Sequence, residues 1–353
     1  MRIVIVKLSS LGDILQTLPI LPRLISAFPN CIIDWIVEKK FASALQNHPA
    51  INRVITCDSR QLRAKPNLLE IKDLIRNLRK VTYDVLIDLQ GNCKSGCINL
   101  FIRAVSKHGF SLLSAAEWPN ILSTTYRYDV RSVHSVREKN ISMLERIFHK
   151  SFAMAKEISL FPLDSSERKK LDDSLIQLSR DKLIVMICPF SKWPNKMVPH
   201  SFLLQFLLSI RKHFSVQYLL IWENSEQKSM VEECTRHLES YDLALGGLSI
   251  SMWYHLMLQS SFAISMDSSS LHLAALANLR TYTFFGPSKG NAYLPQEVRY
   301  GYYQGTCPHK IHFTKRCPIL RSCRDGACLQ RLELKAVLQH FLEWAKKFSF
   351  DSE

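Results

Sequence analysis

Short apolar runs bounded by polar turns recur along the chain, with amphipathic stretches between them. In the first half the runs at 3–6, 32–37, 53–56 and 85–89 predict strands, and 67–79 predicts a helix between the last two. Runs this short and continuous suit strands covered on both faces, and their alternation with helices predicts a parallel sheet. Pro19 and Pro22 fall inside the first helical pattern. Proline removes a helical hydrogen bond and crowds the preceding turn, so that helix is expected to kink or split. Residues 120–131 are polar, aromatic and irregular, and read as a loop.

Residues 162–181 are charged and carry few large apolar side chains, which marks them as the join between domains. Beyond them the alternation resumes. Strands are expected at 183–187, 216–221, 262–266 and 281–285, helices at 200–213, 226–238, 250–258 and 271–277, and a final amphipathic helix at 332–348. The class is therefore α/β, with Rossmann-like domains over 1–165 and 182–330 and a C-terminal helix within 331–353.

Composition narrows the function. Hydrophobic residues make up 47% of 353 and aromatics 10%, which supplies full cores and excludes a disordered chain. No apolar stretch approaches the roughly 20 residues of a membrane helix, and the opening strand, broken at Lys7, lacks a signal-peptide pattern. A cytoplasmic protein is expected, and its ten cysteines suggest thiols or a metal site before disulfides. Lys plus Arg number 46 against 31 Asp plus Glu, a formal charge of +15 that attracts nucleic acid, an acidic membrane face or a phosphorylated substrate. The basic residues are scattered, with modest clusters at 60–65 and 127–137 and no nucleic-acid motif. An anionic lipid surface is favoured over nucleic acid. Neither Gly-x-Gly-x-x-Gly nor a P-loop is present, so phosphates must be held by other means.

The polar residues that follow strands carry the candidate chemistry. Lys7-Leu8-Ser9-Ser10-Leu11-Gly12-Asp13 leads from the first strand into a helix and so sits at the carboxyl edge of a parallel sheet, where such folds bind ligands. In the second half, 191–196, Glu226, Asp267 to Ser270 and 286–288 follow successive strands and converge on one crevice. Ser268, Ser269 and Ser270 open a helix whose amides and hydroxyls suit a diphosphate, with Lys196 to neutralise it. Glu226 and Asp267 are acceptors for ribose or sugar hydroxyls. Plainer readings stand beside these: Ser10 as N-cap with Asp13 as a first-turn acid, Ser268 or Ser269 as N-cap, His272 as a satisfied core histidine, Lys196 as an exposed lysine, Glu226 as a helix-start acid. Convergence favours the site. Cys307, Cys317, Cys323 and Cys328 lie within 22 residues at spacings x9, x5 and x4, open to zinc, reduced thiols or a conditional disulfide; the paired C-x2-C of familiar zinc sites is absent.

In order along the chain, Lys7 to Asp13 with Thr17-Leu18-Pro19, then 33–38 with Phe41, then 48–55, resemble the amino-terminal half of the lipopolysaccharide heptosyltransferases of glycosyltransferase family 9. Asp88-Leu89-Gln90-Gly91 with Lys94-Ser95 is similar to the next family block. Lys192-Trp193-Pro194-Asn195-Lys196, Trp222 with Glu226, Asp267 to Ala274 and Phe285-Gly286-Pro287-Ser288 are similar to those that remain. The resemblance implies a GT-B fold, two Rossmann-like domains facing across a cleft, the last helix packing back on the first. It further implies inverting, metal-independent transfer of heptose from an ADP-heptose co-substrate to the lipid A inner core, without a cofactor. The block Asp34-Trp35 to Glu38 with Phe41 is closest to the heptosyltransferase I branch, whose acceptor is Kdo-lipid A; heptosyl-Kdo-lipid A is the alternative.

By position, the resemblance makes Asp13 the general base. Lys196, Ser191 and the amides at Ser268 and Ser269 would stabilise departing ADP, Glu226 would hold the nucleoside, and Asp267 and His272 would orient the sugar or its phosphates. Ser10, Gly12, Arg60, Arg63 and Lys94 would meet the anionic acceptor. Departures from the family pattern are Ser268-Ser269 for the usual Thr-Gly, Glu223 for the glycine after Trp222, and Gln16 for a histidine. The altered serine loop leaves open a catalytically silent sugar-nucleotide or lipid binder, and a nucleic-acid binder ranks last. The basic surface implies salt-sensitive, peripheral association with the cytoplasmic face of the inner membrane.

Overall fold

The computed structural model describes residues 1–64, 67–133, 135–152, 161–294, 297–323 and 326–348, the side chains of 62–64 excepted. The chain forms two compact units, Met1–Pro162 and Leu163–Glu353.

The first unit holds strands β1 (Arg2–Val6), β2 (Ile32–Glu38), β3 (Arg53–Cys57), β4 (Thr82–Asp88), β5 (Arg103–Phe110) and β6 (Tyr126–Tyr128) in one sheet of order β3-β2-β1-β4-β5-β6. Every pairing is parallel. Ile3, Val4, Ile5 and Val6 of the central strand are wholly buried, as expected when helices cover both faces. The first helical pattern splits into Leu11–Thr17 and Ile20–Ala27 on either side of Pro19. Asn140, from the helix Val136–Phe148, donates to Thr17 Oγ1 at 2.9 Å and satisfies a buried hydroxyl where these helices meet.

Two features of this unit differ from expectation. Strand β5 carries Arg103, Ser106, Lys107 and His108, because it lies near the sheet edge with one face half-solvated, so no apolar run announces it. The expected loop at 120–131 contains the end of a 3-10 turn, Trp118–Ser123, and the short edge strand β6.

The second unit repeats the plan with β7 (Leu183–Cys188), β8 (Val216–Trp222), β9 (Leu243–Gly246), β10 (Phe262–Met266), β11 (Thr281–Phe285) and β12 (Tyr300–Gln304), in the order β12-β11-β10-β7-β8-β9 and again parallel. The outermost strands, β9 and β12, are short and contain glycine, and sequence patterning missed both. The segment expected as a join holds a helix, Ser165–Leu175, opened by a reciprocal cap between Asp164 and Glu167 and packed on the helix Ile250–Leu258 of the second unit.

The last helix, Leu334–Ala345, belongs to the second unit's core. Val337, Phe341 and Trp344 join Phe206, Tyr282 and Phe284 there. Phe341 meets Phe206 and Tyr282 edge to face, with centroids 5.5 and 5.2 Å apart. Trp344 lies over Gly301 so closely that a Cβ there would fall 2.5 Å from the indole.

Candidate active site

In each sheet the strand order reverses between two central strands, β1 and β4 in the first and β7 and β10 in the second. Loops leaving such a pair diverge to opposite faces and open a crevice at the carboxyl edge. Ser10, Gly12, Asp13, Lys94, Ser191, Lys196, Asp267 to Ser269 and His272 follow those strands, whereas Arg60 and Glu226 follow β3 and β8.

In the first unit Ser10 precedes the helix Leu11–Thr17, with Gly12 buried in its first turn. Asp13 Oδ2 receives the Ser10 amide at 2.9 Å and the Ser10 hydroxyl at 3.1 Å. The capping role weighed from sequence is therefore real, and it engages one carboxylate oxygen. Asp13 itself is half-buried at the switch point. The loop itself is clamped by Gln90, whose Oε1 accepts the amides of Leu8 and Ser9 at 3.0 Å each. Beneath it Asp88, fully buried, accepts the amides of Gln90 and Gly91, the Ser95 hydroxyl and the side-chain amides of Asn99 and Asn120.

Lys7 received no role from sequence, yet its ammonium is buried under this loop and donates to Leu89 O at 2.8 Å. Burial pulls its pKa below the ordinary lysine range, opposed by the charges of Asp13 and Asp88. The signal was its place directly after a buried strand. Among the acceptor candidates, Lys94 pairs at 3.6 Å with buried Glu38, which also receives the Ser59 amide and hydroxyl. Arg60 is exposed in the short helix Ser59–Ala64 after β3; the Arg63 side chain lies outside the described residues.

In the second unit Lys196 and Asp267 come together at 2.5 Å, their side chains 10% and 8% exposed. This is not the exposed lysine of the plainer reading. Ser191 Oγ donates to Asp267 O at 3.1 Å, tying the loop after β7 to the loop after β10. Ser268 caps the helix Ser269–Leu276, and its hydroxyl bonds that of buried Ser270 at 2.7 Å. The first-turn amides of such a helix lack intrahelical partners and carry the positive end of its dipole. Beneath Ser270, burial pushes the Cys188 thiol up to about 12, so it is no nucleophile at neutral pH. His272 is half-buried one turn along. Glu226 is exposed at the start of the helix Ser225–Thr235, after β8, where Asn224 takes the cap by accepting the Gln227 amide. Nearby, Trp222 Nε1 is buried without a hydrogen-bond partner, a donor that sequence reasoning passed over.

The four clustered cysteines line a cavity of about 20 Å³ together with Asn195, Gly286 and Pro287. Burial and the neighbouring Cys307, Cys323 and Cys317 push the Cys328 thiol up to about 11. Among the described residues no three His, Cys, Asp or Glu side chains are grouped to hold a metal ion. The segment is tied to the lysine loop: Asn195 Nδ2 donates to Leu320 O at 2.6 Å and to Cys323 O at 3.2 Å.

Residues 71–321 match the model of glycosyltransferase family 9 (heptosyltransferase). The chain belongs to glycosyltransferase family 9. The matched span begins after Asp13 and includes Ser191, Lys196, Glu226, Asp267 to Ser269 and His272. This family 9 glycosyltransferase is 28% identical to lipopolysaccharide heptosyltransferase 1 of Campylobacter coli over 309 residues, 83% of this chain and 86% of that protein. It is 26% identical to lipopolysaccharide heptosyltransferase 1 of Pseudomonas aeruginosa, over 82% of this chain and 79% of that one. Its fold matches the E. coli heptosyltransferase WaaC with ADP-2-deoxy-2-fluoro heptose at a TM-score of 0.76 and 22% identity, covering 97% of this chain and 99% of that one. The fold is thus of the GT-B class. Among the described residues no helix is long and apolar enough to cross a membrane.

Proposed function

We propose that this glycosyltransferase moves heptose from ADP-heptose to Kdo-lipid A, with inversion at the anomeric carbon. The observation that carries the reading is the buried Lys196–Asp267 pair at the switch point of the second sheet, beside the helix N-terminus at Ser268 to Ser270. An ammonium and a set of backbone amides in one water-poor corner are what a departing diphosphate requires. The names of the relatives and the sugar nucleotide bound by WaaC support heptose and ADP.

In the proposed reaction the acceptor hydroxyl gives its proton to the uncommitted oxygen of Asp13 as its own oxygen bonds to the anomeric carbon. The bond from that carbon to the diphosphate breaks, and the electron pair leaves with ADP. Lys196 and the first-turn amides at Ser268 and Ser269 stabilise the charge that develops there, which is the largest in the transition state. Asp267, tied at its carbonyl to Ser191, holds Lys196 in place, His272 lies one turn on to meet the sugar or its phosphates, and Glu226 accepts from the nucleoside. A carboxylate is a weak base in water, and Ser10 fixes this one in orientation so that little rearrangement precedes proton transfer. Arg60, Arg63 and Lys94 receive the acceptor's carboxylates and phosphates, Lys94 by exchanging its loose contact with Glu38. The cytoplasmic face of the inner membrane is the proposed workplace.

The test is incubation of purified enzyme with ADP-heptose and either Kdo-lipid A or heptosyl-Kdo-lipid A, followed by mass spectrometry. A mass increase of one heptose on Kdo-lipid A is expected; ADP-heptose binding without product on either acceptor would leave a silent binding protein.

A further inference from the structure

An exposed apolar corner of the first unit remains unexplained by sugar transfer. Leu112, Leu113, Trp118, Leu122 and Tyr126 are between 52% and 71% exposed, all within 15 residues at the carboxyl end of β5 and along β6. Large apolar side chains standing together in water usually mark a contact surface.

Their exposure is not slack in the chain, because the backbone that presents them is pinned on every side. Ser111 N donates to Tyr128 O at 2.9 Å, Ser114 Oγ to Asp129 at 2.9 Å, and Val130 N to Ser114 Oγ at 3.0 Å. Glu117 accepts the Cys93 amide at 2.8 Å, and its own amide donates to Gly91 O at 3.1 Å. The 3-10 turn Trp118–Ser123 is fixed by Asn120, which donates to Asp88 at 2.7 Å. The carboxylate that orders the Gln90 loop therefore also anchors the apolar corner.

Charge identifies what covers it. Residues 1–162 carry 23 Lys plus Arg against 13 Asp plus Glu, whereas 163–353 carry 23 against 18. The excess is thus concentrated in the unit with the apolar corner. At the corner Arg127 lies exposed against Ile121 O, and the acids Glu117 and Asp129 are occupied by the Cys93 amide and by Arg131. Leucines with a tryptophan and a tyrosine, carried on the more basic of the two units, match the boundary of an anionic bilayer, where aromatic rings settle at headgroup depth and cations stay with the phosphates.

We infer that the β5–β6 corner is a membrane-docking surface that dips Leu112, Leu113, Trp118 and Leu122 into an anionic lipid leaflet. It deepens the lipid-acceptor reading of the site, on which it rests for the reason the enzyme visits a bilayer. It also changes the expected salt response: attraction through the basic surface weakens with ionic strength, but insertion of these side chains leaves a salt-resistant share.

The test is flotation of the full chain with phosphatidylethanolamine vesicles containing phosphatidylglycerol, and with phosphatidylcholine vesicles, at low and high salt. No saccharide acceptor is included, so failure here is distinguishable from failure of the transferase reading. Wild type is expected to bind the anionic vesicles and to keep a bound fraction at high salt. The triple variant Leu112→Ser, Leu113→Ser, Trp118→Ala should bind at least about tenfold more weakly at high salt, while its melting temperature and ADP affinity match wild type. Equal binding by variant and wild type overturns the inference. So does absence of vesicle binding with a concentration-dependent dimer that the triple variant abolishes, which would assign the corner to a second copy of the chain.

Discussion

Asp13 caps its helix through one oxygen, which Ser10 occupies, and in the proposed reaction the other takes the acceptor's proton. Lys196 and Asp267 are bound more tightly to each other's fate. Because both are nearly enclosed, Lys196→Met strands a carboxylate in a poorly solvated corner. We expect a loss of about 3 kcal/mol in urea unfolding and at least tenfold weaker ADP binding by calorimetry, ~1.4 kcal/mol or more. His48 makes a pH prediction. Its Nδ1 accepts the Ala50 amide at 3.1 Å, and burial lowers its pKa from 6.5 to about 4. Above pH 6.5 the imidazole is neutral whether the chain is folded or not. Below that the unfolded chain takes the proton first, so stability falls as pH drops from 6.5 toward 4, by up to about 3 kcal/mol. His48→Asn keeps an acceptor for the amide and should flatten that part of the unfolding curve; an unchanged slope would remove His48 as its source.

The strands most legible in the sequence are those covered on both faces, such as β1, β7 and β10, whose continuous apolar runs have no competing explanation, although the edge strand β3 was legible too. Strands β5, β6, β9 and β12 stand at or next to sheet edges, where solvent permits lysine, arginine and glycine, and the pattern dissolves. The site followed the same division. Asp13, Ser191, Lys196 and the serine loop were readable because strand ends and helix starts fix their place at the edge of a sheet. Asp88 and Asn195 were not readable as supports, since their partners lie up to 32 and 128 residues away. Two substitutions test that support. Asp88→Ala leaves five donors without their acceptor and should lower stability by roughly 3 kcal/mol in denaturant titration, together with turnover. Gly326 has φ +53°, and a Cβ there would sit 2.9 Å from Asn195 Cα. Gly326→Ala should therefore displace the Lys196 loop and raise the ADP dissociation constant, at a stability cost of about 1–2 kcal/mol. ADP affinity equal to wild type would show that the cysteine segment does not brace the loop.

Across the molecule, two sheets of the same plan divide the labour proposed for a family 9 glycosyltransferase, with acceptor and base on the first unit and nucleotide on the second. The uneven charge, greater on the first unit, fits that division, since a lipid A-type acceptor is the more anionic and the larger of the two substrates. The most direct measurement is the rate of heptose transfer from ADP-heptose to Kdo-lipid A by wild type and Asp13→Ala at saturating donor. The account predicts one heptose added by wild type and a fall in turnover of at least about a hundredfold in the variant, with ADP affinity unchanged. Turnover equal to wild type in Asp13→Ala, or no transfer by wild type, would contradict it.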